Sequence, residues 1–236
     1  MQQGLSVDYA GIPISVQKLE HSYNEIKLAP TDIQDIEGGE QFPLPNITIG
    51  RQITFVCAPS QAGKTTFVAE FGLMFKKMYE LDNIYVFSEK AHDQLDILNP
   101  KRISLKPPIP TDPFLFKNSL IIFDDIDGIY DKDVRKDVFS LMERILKLGG
   151  ECKCHIIITY HMMSNRNETR YLLFECNYIV LFPNTGSKNQ FRNLLLNYVG
   201  LDSYQVEELM NMNSRWVFLH KNHPRYIVTQ HETRIL

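Results

Sequence analysis

The stretch Ala58-Pro59-Ser60-Gln61-Ala62-Gly63-Lys64-Thr65 decides the fold, because it matches a phosphate-binding P-loop and has the flanking elements that such a loop needs. The apolar run Ile53–Cys57 before it predicts a strand, and the residues from Thr66 to Met78 predict a helix. We expect residues 58–66 to bind a nucleotide, with phosphates at the positive end of that helix. Lys64 would reach the β and γ phosphates, and the Thr65 hydroxyl would hold Mg2+.

The first position of the loop departs from the usual pattern, which has glycine where this chain has Ala58. Alanine is strained only where the backbone requires a positive φ. Gly63 and the Lys64-Thr65 pair keep the pattern. The tolerance of alanine at position 58 therefore depends on the conformation of the loop.

The composition is that of an ordinary globular protein, with 44% hydrophobic and 22% charged residues. Its 25 Lys and Arg against 28 Asp and Glu give a net charge of −3, so the overall charge does not indicate nucleic-acid binding. A ring of subunits could still concentrate basic residues on a pore.

No apolar run approaches the ~20 residues that span a bilayer, and the N-terminus does not resemble a signal peptide. We therefore expect a soluble, intracellular protein without membrane insertion.

The order of the predicted elements favours an α/β protein. Residues 1–48 have weak periodicity broken by prolines, and we predict an irregular N-terminal arm with room for one short strand. Residues 49–236 alternate strands and helices, which predicts a single P-loop ATPase domain of the RecA/ASCE type: a mainly parallel sheet, helices on both faces and a C-terminal β-hairpin. One of these helices is expected to stop at Gly149-Gly150. The predicted strands of the sheet are 53–57, 84–87, 120–123, 155–160 and 177–182.

Two carboxylates follow a strand that is predicted to be buried on both faces. The apolar run Leu120–Phe123 ends in Asp124-Asp125, about sixty residues after the P-loop, and this arrangement indicates nucleotide hydrolysis. Asp124 has the position of the Walker B aspartate that holds Mg2+. Asp125 is placed to act as general base on the attacking water. We interpret Asp127, in the same turn, as a surface carboxylate or as negative charge at a helix N-terminus.

The number of strands predicts that residues 155–160 lie between the P-loop strand and the acidic strand in the sheet. His161 at the tip would then be near the γ phosphate and could report whether ATP is intact; a loop histidine without a role is the alternative. An arginine, often from a neighbouring subunit, usually neutralises the transition-state charge, and Arg170 and Arg166 are the candidates. Either arginine could equally be a surface residue or a DNA contact.

Together these motifs resemble those of the FtsK/HerA superfamily, specifically the genome-packaging ATPases of double jelly-roll capsid viruses, which include the nucleocytoplasmic large DNA viruses and virophages. The resemblance extends from about Gln52 to Phe182. It depends on Ala58 to Thr66, on Leu120 to Asp125, and on Thr159-Tyr160-His161 followed by Thr169-Arg170-Tyr171-Leu172-Leu173 and Glu175-Cys176.

The resemblance implies a Mg2+-dependent ATPase that works as a homo-oligomeric ring and drives double-stranded DNA into a preformed capsid. ATP and Mg2+ would be its cofactors, and double-stranded DNA and capsid proteins its partners. It would act in the virion or at the viral assembly site in the host cytoplasm. The wider superfamily often has glutamate in place of Asp125 and glutamine in place of His161.

A P-loop kinase acting on a nucleotide or a small metabolite is the alternative function. Such a kinase needs a mobile lid with arginines and no paired carboxylates on a buried strand, so Asp124-Asp125 argues against it. A GTPase is less favoured, because the sequence contains no Asn-Lys-x-Asp motif. A non-enzymatic assembly protein is disfavoured by the intact Lys64, Thr65 and acidic pair.

Overall fold

The computed structural model of the chain describes residues 5–18, 29–31, 40–161 and 167–236. The chain divides into two compact units: residues 49–177 form one, and residues 1–48 combine with residues 178–236 in the other. The assignment of residues 49–236 to one P-loop ATPase domain stays a prediction. Among the described helices, none is long and apolar enough to cross a membrane.

The elements are numbered in chain order. They are β1 (Leu5–Tyr9), β2 (Ile12–Lys18), β3 (Ala29–Thr31), β4 (Glu40–Pro43), β5 (Ile53–Cys57), α1 (Lys64–Met78), β6 (Asn83–Phe87), β7 (Lys101–Ile103), β8 (Ser119–Phe123), α2 (Lys132–Cys152), β9 (His155–Tyr160), α3 (Asn167–Glu175), β10 (Tyr178–Leu181), α4 (Lys188–Leu194), α5 (Ser203–Met210), β11 (Val217–His220), β12 (Tyr226–Thr229) and β13 (Thr233–Ile235). Short 3-10 turns occur at Gln94–Leu98, Pro113–Phe116 and Ile126–Gly128, and a π-helical turn occurs at Leu195–Val199.

A parallel sheet is the centre of the unit of residues 49–177. Its strand order is β5-β9-β8-β6-β7, and each neighbouring pair is parallel. Strand β9 therefore separates the P-loop strand β5 from the acidic strand β8, as predicted. The carboxyl ends of these strands lie at one edge of the sheet, where Val56 is paired with Thr159 and Phe87 with Phe123.

Helices cover both faces of this sheet. The chain crosses from β5 through α1 to β6 in one direction, and returns from β8 through α2 to β9 in the other. Because such connections are right-handed, α1 and α2 lie on opposite faces. Every residue of β5, β8 and β9 is buried, which explains why these strands are continuous apolar runs without alternation.

Helix α2 continues through the two glycines at which the sequence predicted its end. It ends at Cys152, and Lys153 follows with a left-handed φ of 53°. Glycine in a helix costs only about 1 kcal/mol relative to alanine, so the packing of buried Cys152 outweighs it. Gly149 also makes room for Arg51, because a Cβ at position 149 would lie 3.1 Å from the Arg51 Nη1 atom.

Helix α3 occupies part of a segment that the sequence predicted only as a polar stretch, from His161 to Arg170. It begins at Asn167 and buries Thr169, Leu172 and Leu173. Its first four residues are polar, so the apolar periodicity that identifies a helix covers less than two turns. A helix this short gives little periodic signal.

The unit of residues 1–48 and 178–236 contains two groups of strands. Strands β10 to β13 pair in chain order as an antiparallel meander, which includes the predicted C-terminal hairpin of β11 and β12. The other group has the order β3-β1-β2-β4. The groups meet where the Gln41 N–H donates to the Gln230 carbonyl over 2.7 Å, and where the Ser15 and Thr233 hydroxyls are 2.6 Å apart.

The described part of residues 1–48 forms four strands, whereas the sequence predicted an irregular arm. Proline indicates a break in regular structure, but a strand accepts it at an end or at a bulge, where its missing N–H is not needed. Pro13 is paired next to a register shift between β1 and β2, and Pro43 is the last residue of β4. The prolines therefore shape these strands without abolishing them.

His155 at the start of β9 is a neutral buried histidine whose removal should change the acid stability of the protein. Its ring packs against Phe75 and Tyr79, at centroid distances of 5.1 and 4.3 Å. Burial lowers the pKa of His155 from its ordinary value of 6.5 to about 4. The unfolded chain therefore takes up a proton before the folded protein does, and stability is lost as the pH falls from about 6.5 to 4.

We predict that His155→Phe loses less stability than the wild type between pH 7 and pH 4.5, by about 2–3 kcal/mol. Urea denaturation at both pH values measures this difference, and His231→Phe, at an exposed position, is the control. Equal acid losses in the wild type and His155→Phe would show that this histidine does not contribute.

Candidate active site

The P-loop connects β5 to α1, and its unusual backbone angles occur at two positions. Gly63 has a φ of 106°, and Gln61 has a φ of 66°. Ala58 has no positive φ, so alanine at this position carries none of the strain that would require glycine. Its N–H donates to the Tyr160 carbonyl over 3.2 Å, and Ala58 therefore extends the pairing of β5 with β9.

The N-terminus of α1 is suited to bind an anion. No side chain in the described part of the chain caps it, and its first turn contains no acidic residue. The N–H groups at a helix N-terminus carry a partial positive charge that favours phosphate. The loop of residues 58–66 therefore fits the phosphate chain of a nucleotide, as the sequence predicted.

Lys64 links the P-loop to the acidic strand. Its ammonium group is buried, donates to the Ala58 carbonyl over 2.8 Å and lies 3.5 Å from Asp125 Oδ1. Thr65, next along α1, is half-buried. Thr66 is exposed, and its hydroxyl donates to Gln94 Oε1 over 2.5 Å. Of these three side chains, only Lys64 contacts the acidic pair directly.

Asp124 is a buried carboxylate that two hydroxyl groups surround. Thr159 Oγ1 lies 3.0 Å from its Oδ1 atom, and Ser88 Oγ donates to its Oδ2 atom over 3.2 Å. Burial raises the pKa of Asp124, and the negative charge of Asp125 raises it further. A nearby cation stabilises the ionised form of such a group.

The ligands at this site fit Mg2+ that arrives with a nucleotide. Mg2+ prefers oxygen ligands and is commonly bound through one or two carboxylates together with phosphates and water. The Asp124 carboxylate and the Thr65 hydroxyl are such ligands. Within the described ranges, no group of three or more His, Cys, Asp or Glu residues could hold a metal.

Asp125 has a different environment from its neighbour. It has a left-handed φ of 52°, and its carboxylate lies 3.0 Å from Lys90 Nζ and 3.4 Å from His161 Nε2. Burial raises the pKa of Asp125, but the hydrogen bond from Lys90 and the charge of Lys64 outweigh this effect and hold it below its ordinary value. Asp125 is therefore an ionised carboxylate at neutral pH and can accept a proton.

Thr159 positions both carboxylates, and sequence reasoning missed it. Its hydroxyl is fully buried, accepts the Asp125 N–H over 2.8 Å and can donate to Asp124 Oδ1 or Asp125 Oδ1. The sequence predicted a sensor one residue further along the chain, at Tyr160-His161. The signal that could have identified Thr159 is a single threonine directly after the isoleucine run Ile156-Ile157-Ile158.

His161 lies beside Asp125, and Asp127 contacts it. The His161 backbone N–H donates to Asp127 Oδ2 over 3.0 Å, and its ring Nδ1 lies 3.6 Å from Asp127 Oδ1. Asp127 lies in the first turn of the 3-10 segment Ile126–Gly128, which fits one of the two sequence interpretations, negative charge at a helix N-terminus. It orients the histidine so that the other ring nitrogen faces Asp125.

Ser88 and Lys90 complete the cluster, and neither was predicted. They follow β6, whose carboxyl end is next to that of β8. The only signal in the sequence is a polar Ser88-Glu89-Lys90 segment directly after the apolar strand. The parallel pairing of β6 with β8 brings this segment to the acidic pair.

Arg170 is the arginine candidate whose position the structure describes. Arg170 is exposed on α3, and no hydrogen bond or ion pair joins it to the acidic pair among the residues that the structure describes. Arg166 lies outside the described residues. Among the described residues, the structure therefore assembles Lys64, Asp124, Asp125 and His161.

Comparison with solved structures supports the fold. The pCW3 conjugation coupling protein TcpA, in its monomer form with ATPγS, matches with a TM-score of 0.53 and 10% identity, over 83% of this chain and 63% of that one. The fold is that of a P-loop ATPase. The genome-packaging NTPase B204 of Sulfolobus turreted icosahedral virus 2, in complex with ATPγS, matches with a TM-score of 0.47 and 14% identity, over 79% of this chain and 96% of that one.

Sequence comparison gives a viral relative. The chain is 28% identical over 203 residues to the uncharacterized protein V3 of Sputnik virophage, which covers 84% of this chain and 82% of V3. No protein-family model matches the chain. The match to a virophage protein confirms the predicted resemblance to proteins of this group of viruses.

Proposed function

We propose that this protein is an ATP-driven double-stranded DNA translocase that packages a viral genome into a preformed capsid. The observation that carries the proposal is the acidic pair at the end of β8, which β9 separates from the P-loop strand and which Lys64 contacts. This arrangement suits hydrolysis of a nucleotide. Packaging as the purpose of hydrolysis is supported by the motif resemblance and by the virophage relative.

Each residue of the site would have its own role in hydrolysis. Lys64 and the N-terminus of α1 would bind and orient the phosphate chain. Thr65 and Asp124 would hold Mg2+, which neutralises charge on the phosphates when it is bound. Asp125 would accept the proton of the attacking water, and His161, held by Asp127, would orient it or the γ phosphate.

The proposal includes a homo-oligomeric ring, with double-stranded DNA and capsid proteins as partners. Such a protein would act in the virion or at the assembly site in the host cytoplasm. In a ring, an arginine from one subunit can reach the nucleotide of the next.

Double-stranded DNA should stimulate the ATPase rate of the purified protein, measured as phosphate release. Lys64→Ala should lower the stimulated rate by about 100-fold or more, because it removes a buried charge at the phosphates. Lys147→Ala, on the exposed side of α2, is the control. Stimulation by a small phosphoryl acceptor, with no response to DNA, would support the kinase alternative.

Asp125→Asn should retain ATP binding and lower hydrolysis by about 100-fold to 10,000-fold, because asparagine cannot accept the proton. Asparagine also tolerates the left-handed φ of this position, so the backbone should be preserved. Fluorescent-nucleotide binding and phosphate release measure the two effects, with exposed Asp137→Asn as the control. Loss of both binding and hydrolysis would instead make Asp125 a Mg2+ ligand.

Arg170 is proposed to act on the nucleotide of a neighbouring subunit, because it is exposed on α3 and apart from its own acidic pair. Lys64→Ala and Arg170→Ala should each be inactive alone. Mixing them should restore part of the activity, since a mixed ring contains sites with an intact P-loop and an intact arginine. Arg144→Ala, on α2, is the control for loss of an exposed arginine. Failure to recover activity at every mixing ratio would count against this role.

A further inference from the structure

Lys90 bridges the two carboxylates that the proposed function assigns to metal binding and catalysis. Its Nζ atom lies 3.0 Å from Asp125 Oδ2 and 3.6 Å from Asp124 Oδ2. Ser88 Oγ donates to the same Asp124 oxygen over 3.2 Å. The ammonium group therefore neutralises charge at the carboxylate that is expected to hold Mg2+.

The backbone of Lys90 is held in place, so its contact with the acidic pair is built into the fold. Arg102 Nη1 donates to the Lys90 carbonyl over 3.0 Å, and the same guanidinium binds Asp93 and Asp96 at 2.5 and 2.8 Å. The Lys90 N–H in turn donates to Ser88 Oγ over 3.2 Å. The segment after β6 thus presents the lysine to the end of β8.

The side chain of Lys90 is free to leave, in contrast to that of Lys64. Lys90 is 48% exposed, whereas Lys64 is 5% exposed and also donates to the Ala58 carbonyl. A lysine is a compact charge on a flexible four-carbon chain, so it can turn toward solvent while its backbone stays fixed. The two cations of the site therefore differ in exposure.

We infer that Lys90 is a displaceable counter-ion, which holds the acidic pair when no divalent cation is bound and releases Asp124 when Mg2+ binds. The inference rests on the proposed function, in that the divalent cation is the one that arrives with ATP. An ammonium group and a divalent cation compete for the same carboxylate, because both are attracted to its negative charge. Lys90 is a positioning residue: it keeps the two carboxylates in place at an empty site and weakens the binding of metal alone.

Binding of Mn2+ to the nucleotide-free, full-length protein, measured by electron paramagnetic resonance, tests the inference. Lys90→Met should bind Mn2+ roughly fivefold more tightly than the wild type, because a half-exposed competing charge has been removed. Lys90→Arg keeps the charge and should bind Mn2+ as weakly as the wild type. Lys106→Met removes an exposed lysine elsewhere in this unit and should have no effect.

Thermal unfolding is a second measurement that does not depend on activity. Without metal, Lys90→Met should melt at a lower temperature than the wild type, because the two carboxylates repel each other when the counter-ion is absent. Mg2+ should then raise the melting temperature of Lys90→Met more than that of the wild type. If Lys90 only stabilised the fold, Lys90→Met would lower the melting temperature equally with and without Mg2+. That result would overturn the inference.

Asp124→Asn separates failure of this inference from failure of the proposed site. If Asp124→Asn loses Mn2+ binding while Lys90→Met binds no more tightly than the wild type, the counter-ion role is wrong and the metal site stands. Weaker Mn2+ binding by Lys90→Met also overturns the role. If Asp124→Asn binds Mn2+ as the wild type does, Asp124 is not the metal ligand, and both the inference and that part of the proposed function fail.

Discussion

The hydrogen bonds of the Thr159 hydroxyl are the interaction on which the geometry of the acidic pair depends. This fully buried group accepts the N–H of Asp125 and can donate to either carboxylate. It can do so because β9 lies between β5 and β8 in the sheet. Thr159, near the end of β9, therefore lies next to the carboxylates that follow β8. A buried polar group that lost these partners would cost about 1–3 kcal/mol, so the hydroxyl also stabilises the turn after β8.

Two adjacent carboxylates acquire opposite properties from this arrangement. Burial raises the pKa of Asp124, whereas cations hold the pKa of Asp125 below its ordinary value despite its burial. The difference arises from position, because the left-handed turn at Asp125 directs its carboxylate toward Lys64, Lys90 and His161. Asp124 is therefore suited to gain a cation, whereas Asp125 stays ionised at neutral pH.

The P-loop and the acidic strand could be predicted because their chemistry needs particular residue types within short segments. The position of β9 also followed from the number of strands. Lys90 could not be recognised, since its contact with Asp125 depends on the pairing of β6 with β8, which joins residues 35 apart in the chain. The contact between Asp127 and His161 could not be recognised for the same reason, because these residues are 34 apart in the chain. The four strands of residues 5–43 were hidden by prolines whose tolerance depends on the register.

Arg51 stands two residues before β5, at the edge of the sheet opposite the P-loop. Its guanidinium donates to the carbonyls of Ile145 and Leu146 near the end of α2, and it lies 3.9 Å from Glu175 at the end of α3. The start of the P-loop strand and the ends of two helices therefore meet at one guanidinium group. Through Arg51, the strand that carries the P-loop is in contact with both α2 and α3, the helix that carries Arg170.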